Sequence, residues 1–214
     1  MEILEWIGVV AFALSGAMVG VRKEMDIFGV NVLGVTTAVG GGFVRDLALG
    51  VAPPQALRDP DCALVAIVTS TALFLYLYFR RRAYSERAKT VYELGLLYCD
   101  ALGLGAFTVL GVDTAFRFSA QPSWFTTLFM GLLTGTGGGI LRDIMAGQSP
   151  YIFTKHIYAC ASLAGGAVYL AFRGLMPRTL AAALSVAVTV ALRGLANRYR
   201  WNLPRIRSRD TGMR

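Results

Sequence analysis

An all-α integral membrane fold is what this sequence predicts, on three observations. The 214 residues are 55% hydrophobic and only 16% charged, against about 25% charged in a soluble domain. The apolar residues gather into seven runs, and the mean hydropathy is +0.54. One glycine-rich segment also occurs twice, in the second run and again in the fifth.

A bilayer-crossing helix takes about 20 predominantly apolar residues. The first run, Ile3–Val21, follows the acidic start MEILEW. A cleaved signal peptide opens on a basic stretch, so this run is expected to stay as a membrane helix. The second, Ile27–Val44, carries the triplet Gly40–Gly42, and the third, Cys62–Phe79, has no charged residue. The fourth, Val91–Val112, holds Asp100, about two helical turns inside it. The fifth, Trp124–Leu141, carries the triplet Gly137–Gly139, and the sixth and seventh, Ile157–Phe172 and Leu180–Leu192, are short.

Loop charge supports seven spans. Placing the 1–2, 3–4 and 5–6 connections and the C-terminal tail on one side collects fifteen Lys and Arg. The other side holds only Arg58, Arg117, Arg173 and Arg178, with Arg45 and Arg142 set aside. Basic loops stay in the cytoplasm. A multi-pass membrane protein with its N-terminus outside and its C-terminus in the cytoplasm is therefore expected. Six spans would put YFRRRAYSERAK and the Arg-rich tail on opposite faces. The expected organisation is one transmembrane domain over residues 1–197, followed by a basic cytoplasmic tail over 198–214. The net charge of +8 sits in clusters beside apolar spans, which fits topology rather than nucleic-acid binding. Cys62, Cys99 and Cys160 are scattered and form neither a disulfide framework nor a metal motif. His156, beside Lys155, and Glu5 and Glu93 lie near span ends and are expected at the interface.

The repeat shapes the fold further. At a spacing of 97 residues, GGGFVRDLALGVAP (40–53) lies over GGGILRDIMAGQSP (137–150), matching three glycines, Arg, Asp, a later Gly and a Pro. The preceding runs match loosely as ALSGAMVG (13–20) against ALGLGAFT (101–108). Each unit then has three spans, repeat 1 over about 3–79 and repeat 2 over about 91–173, with a seventh helix over about 179–196. Three is odd, so the second unit inserts upside down, and inverted repeats place a pathway at their interface.

Glycine inside a helix costs about 1 kcal/mol relative to alanine, so each triplet is expected to kink or break its helix. Carbonyls freed there need a polar lining; close helix packing is the other use of small residues. Arg45 and Arg142 follow the triplets and are expected near the start of a half-helix, where Asp46 and Asp143 suit the dipole better and pair with them. Snorkelling at a span end is the alternative for these pairs. Asp100, an intramembrane carboxylate, is a functional candidate by its position. Tyr98, Thr36, Thr37, Thr134 and Thr136 are candidates to add hydroxyls, unless these bond their own backbone. No phosphate-binding loop, catalytic triad or HExxH signature is completed, so no enzyme and no bound cofactor are expected.

With the two Gly-Gly-Gly-x-x-Arg-Asp segments and DALGLGAFTVLG (100–111), the chain resembles the prokaryotic trimeric intracellular cation (TRIC) channels, also catalogued under a glycine-transporter domain name. The resemblance covers nearly the whole chain to about Asn197. It implies a homotrimer in the lipid of a prokaryotic inner membrane, with one pathway per protomer, lined by spans two and five and permeable to monovalent cations, K⁺ or Na⁺. The implied pathway residues are Gly40, Gly41, Gly42, Arg45, Asp46, Gly137, Gly138, Gly139, Arg142 and Asp143, beside which Asp100, Thr134 and Thr136 stand as polar candidates. A basic residue in a cation pathway must be neutralised, displaced or act as a gate. Arginine also suits the carboxylate of an amino acid, which leaves a secondary transporter of a small zwitterion or anion such as glycine as the alternative, and a structural scaffold as a third reading.

Overall fold

The computed structural model describes residues 1–79, 86–118, 123–154 and 157–201. The basic cluster around Arg80–Arg82, Lys155 with His156, and most of the expected tail (from 202 onward) lie outside the described residues. Among those described there are nine helices: α1 (Glu2–Arg22), α2 (Ile27–Ala48), α3 (Gln55–Arg58), α4 (Asp61–Phe79), α5 (Glu86–Phe118), α6 (Trp124–Met145), α7 (Tyr151–Thr154), α8 (Tyr158–Phe172) and α9 (Arg178–Arg198). Five of them (α1, α2, α4, α5 and α9) are long and apolar enough to cross a membrane, and α8 is a shorter apolar helix. The glycines and threonines of α6 dilute its hydropathy, and α3 and α7 are single turns after α2 and α6. Most of α4 faces outward, exposing Leu64, Val68, Tyr76 and Phe79 while burying only Ala66 and Ser70. An apolar helix with so little buried surface fits a lipid-facing position.

The duplication is visible in the caps. Asp26 starts α2 by accepting from the Gly29 N–H at 2.7 Å, and 97 residues on Ser123 starts α6 by accepting from Thr126 N–H at 3.0 Å. Both helices run unbroken through their glycine triplets. They end instead at the later glycine of each motif, Gly50 (φ +71°) and Gly147 (φ +63°), a conformation that only glycine adopts cheaply. The N–H groups of Gly50 and Gly147 close onto the carbonyls of Leu47 and Ile144, as helix C-termini commonly do.

The triplets serve a close crossing rather than a break. A Cβ on Gly41 would run into the carbonyl oxygen of Thr134, and one on Gly138 into that of Thr37. At Gly137 it would stand 3.1 Å from Gly41 Cα. As numbering rises along α2 it falls along α6, so these equivalent helices cross antiparallel, as inverted units require. The same relation holds for α1 and α5. Phe12 stacks on Phe107 with centroids 5.2 Å apart, Gly8 faces Phe107, and Gly103 faces Phe12. The equivalent residues, Phe12 with Phe107 and Gly8 with Gly103, are 95 positions apart, so the loose match of 13–20 to 101–108 is out of register by seven residues. Seven residues are about two helical turns, so that match kept the apolar face while missing the true partners. Phe12, Phe107, Val9, Ala13, Ala38, Ala66, Leu104 and Tyr158 form the central apolar cluster.

Candidate ion pathway

Because the helices continue to Ala48 and Met145, each Arg–Asp pair sits in the last turn of its helix. This reverses the sequence expectation: the C-terminal dipole favours the arginines and disfavours the aspartates. The aspartates are held there by donors. Asp46 Oδ1 accepts from Arg45 Nε at 2.9 Å and Nη2 at 2.7 Å, and its Oδ2 accepts from the Gln55 N–H, the first of α3, at 2.8 Å. Asp143 Oδ1 accepts from Arg142 Nε at 2.8 Å and Gln148 Nε2 at 2.9 Å. Its Oδ2 accepts from the Tyr151 N–H, the first of α7, at 2.8 Å. Each carboxylate thus fixes its arginine and ties the helix end to the short turn that follows.

The two halves then diverge. Arg45 is 8% exposed and borders an open cavity, whereas Arg142 is fully buried at 0%. Arg142 Nη1 donates to Ser15 Oγ at 2.5 Å and to Asp100 Oδ1 at 2.6 Å, and its guanidinium lies 5.0 Å from the Tyr151 ring centre. Asp100, also at 0% exposure, takes a second guanidinium on its other oxygen: Arg193 Nη2 stands 2.8 Å from Oδ2. Arg193 lies in α9 and stacks on Tyr158 at 4.5 Å. By sequence it counts among the loop charges, one residue past the seventh run. The lone intramembrane Asp100 was the signal that a buried cation had to be found for it.

The remaining candidates divide. Gly42 and Gly139 sit beside their own arginines: a Cβ on either would stand 3.7 and 3.8 Å from Nη2 of Arg45 and Arg142, and Gly139 also faces Tyr158 Oη. Gly40 packs on Leu141, while Gly41, Gly137 and Gly138 lie in the crossing. Thr134 and Thr136 do not join the charged cluster: their hydroxyls donate to the carbonyls of Met130 and Leu132 at 2.6 and 2.7 Å, and Thr37 does the same to Leu33 at 2.6 Å. Tyr98 is 46% exposed and lies against Gly194. Asp113, not singled out from sequence, is a further buried carboxylate, held by Tyr169 Oη at 3.2 Å and Arg117 at 3.2 Å.

Two cavities approach this cluster from opposite ends of α1. One, about 740 Å³, is bordered by Glu2, Glu5, Arg45, Asp46, Asp59, Cys62, Asp113 and Arg117. The other, about 550 Å³, is bordered by Arg22, Glu93, Tyr151, Tyr158, Arg193 and Arg200. Glu5 is half-buried at the first and Glu93 exposed at the second. Phe12, Phe107, Tyr158 and the sealed Arg142 stand between the two.

Comparison with known proteins places this arrangement. The family model described as Glycine transporter matches two stretches, residues 2–78 and 97–174; their starts are 95 residues apart, the register of the α1–α5 pairing. The inner membrane protein YadS of Escherichia coli is 37% identical over 203 residues, covering 94% of this chain and 93% of YadS. A TRIC cation channel solved to explain conductance matches at TM-score 0.81 and 37% identity, over 99% of each chain. The TRIC trimeric intracellular cation channel orthologue from Rhodobacter sphaeroides matches at TM-score 0.80 and 35% identity, over 94% of this chain and 98% of that one.

Proposed function

The chain belongs to the Glycine transporter family, the family of the TRIC cation channels, and from that premise we propose that it is a K⁺-permeable homotrimeric channel with one pathway per protomer. Cation-channel relatives and apolar helices fit a multi-pass membrane protein. In this reading α1, α2, α4, α5, α6, α8 and α9 all span the bilayer, with the N-terminus outside and the C-terminus in the cytoplasm. The pathway runs beside α1 and α5, from the 740 Å³ cavity at Arg45 of α2, past the Arg142–Asp100 cluster, to the 550 Å³ cavity at Arg193; α6 borders neither cavity and meets this route through Arg142.

The observation that carries the reading is this pair of cavities at opposite ends of α1, the larger reaching the Arg45–Asp46 pair and the smaller reaching Arg193 of the buried cluster, at the interface of inverted repeats where transport pathways lie. Cation preference is supported by the larger cavity, whose wall has five carboxylates (Glu2, Glu5, Asp46, Asp59 and Asp113) against two arginines. An acidic cleft raises the local cation concentration. The carboxylates also answer the conflict of arginine in a cation pathway, because Arg45 is paired with Asp46 and Arg142 with Asp100 and Asp143. The same pairing weighs against glycine transport, since an arginine that holds a substrate carboxylate needs a free face. Purified protein in planar bilayers under a KCl gradient provides the test. The expected result is unitary currents reversing near the K⁺ potential. Absence of currents together with saturable, gradient-driven glycine uptake would overturn the proposal in favour of a transporter.

A further inference from the structure

Resting on that channel reading, we propose that Asp100 is the seat of the permeant monovalent cation in mid-pathway, and that Arg193 is a tethered guanidinium occupying this seat when the pathway is shut. Both oxygens of Asp100 are taken by guanidinium groups, from Arg142 at 2.6 Å and Arg193 at 2.8 Å. With Arg193 in place, the buried group of Arg142, Arg193, Asp100 and Asp143 has no net charge. Without it the remaining three carry one negative charge, in a site lacking bulk water, where such charge acts strongly on a cation.

The two arginines are not equally held. Arg142 has no exposed surface and bonds Asp143, Ser15 and Asp100. Arg193 borders the 550 Å³ cavity, and among the described residues its only hydrogen bond is to Asp100. Arg193 is therefore the one that can swing into open space. The cluster is also short of acceptors. Arg142 Nη2, Arg193 Nε and Tyr158 Oη are buried without a hydrogen-bond partner among the described residues. A cluster with spare donors and no net charge offers nothing to attract another cation as it stands.

The repeats supply an internal control. At the 95-residue register the counterpart of Asp100 is Glu5, which borders the open cavity at Arg45. Among the described residues repeat 1 has no counterpart of α9, which follows the second matched stretch, and no cation pairs with Glu5. The occluded half is the one that α9 touches.

Arg193→Gln channels are recorded in planar bilayers in KCl, and guanidinium chloride is then titrated in. Hydrogen bonds to charged groups are strong enough that losing this one should raise open probability about tenfold. Added guanidinium should reverse the rise at concentrations that leave the wild type unchanged. An unchanged open probability, or equal block of both proteins, overturns the proposal. Calorimetric titration of guanidinium into purified Arg193→Gln protein reads the seat without current; binding is expected there and not in Arg193→Gln/Asp100→Asn. A wild type that carries no K⁺ current defeats the channel reading alone, while absent guanidinium binding defeats the seat. If Arg193→Gln does not fold, Arg193→Lys substitutes a single ammonium for the planar fork and should raise open probability about twofold; the wild-type value there overturns the proposal.

Discussion

Neutralising Glu5 and Asp59 tests whether the acidic cavity feeds the pathway. A sphere of 740 Å³ has a radius of about 5.6 Å, so a charge on the wall stands ~6 Å from the centre. In water that charge contributes ~0.7 kcal/mol to a monovalent cation there. Screening with a Debye length of about 8 Å at physiological ionic strength leaves ~0.3 kcal/mol per charge. The wall carries a net charge of three negative units from its five carboxylates and two arginines, which concentrates cations about fivefold. Glu5 and Asp59 form no ion pair among the described residues, so Glu5→Gln/Asp59→Asn removes two of the three units without freeing an arginine. Current carried by cations entering from this cavity should then fall about threefold at physiological salt. In 1 M KCl, where the Debye length is about 3 Å, the loss should shrink to less than about 1.5-fold. Unitary conductance against KCl concentration, measured at both polarities, checks this. An undiminished low-salt conductance, or an equal loss at 1 M, would refute the electrostatic role of the cavity.

Cys62 borders the same cavity as a free thiol. A positively charged trimethylammonium thiol reagent should reduce cation current in the wild type and leave Cys62→Ala unaffected in single-channel recordings. Gly138→Ala drives a methyl into the Thr37 carbonyl, whereas Gly174→Ala meets nothing within 4 Å. Size-exclusion profiles in detergent should therefore deteriorate for the first and not for the second. Arg142→Ala leaves Asp100 and Asp143 without their shared partner, a loss of about 3–5 kcal/mol for a broken buried pair. Arg178→Ala, at an exposed site on α9, should change neither thermal stability nor open probability. Similar melting temperatures and currents for both variants would remove Arg142 from the pathway.

The apolar helical character, the duplicated motif and the isolated Asp100 were legible because each is a local signal: hydropathy, identity, or a charge out of place. What the glycine triplets do was not, because a break and a close crossing make the same demand on composition. Only the partner decides, and Thr37 and Thr134 lie on the opposite helix. The expected dipole placement fell with the break, since an unbroken helix puts Arg45 and Arg142 at its C-terminal end rather than at a new N-terminus. The threonines were ambiguous for a related reason: each finds a carbonyl one turn back, which their own helix always offers. Arg193 was missed because its sequence neighbours, Arg198 and Arg200, read as tail charge. Its partner lies 93 residues away, a relation that hydropathy does not encode.

The comparison of the halves also limits what the shared motif can explain. Gly-Gly-Gly-x-x-Arg-Asp occurs twice with the same Arg Nε to Asp Oδ1 bond, yet Arg45 borders an open cavity and Arg142 is sealed. The motif builds the crossing and holds each arginine to its aspartate; it does not by itself set whether that end is open. The differences lie outside it. Ser15 and Asp100 reach Arg142 from α1 and α5, whereas Leu110 and Glu5 stand at the matching positions around Arg45. Arg193 then arrives from a helix with no twin. Inverted repeats that were identical in these contacts would be open or shut at both ends together. Departure from symmetry, concentrated in three side chains of α1, α5 and α9, is what lets one end stand open while the other is closed.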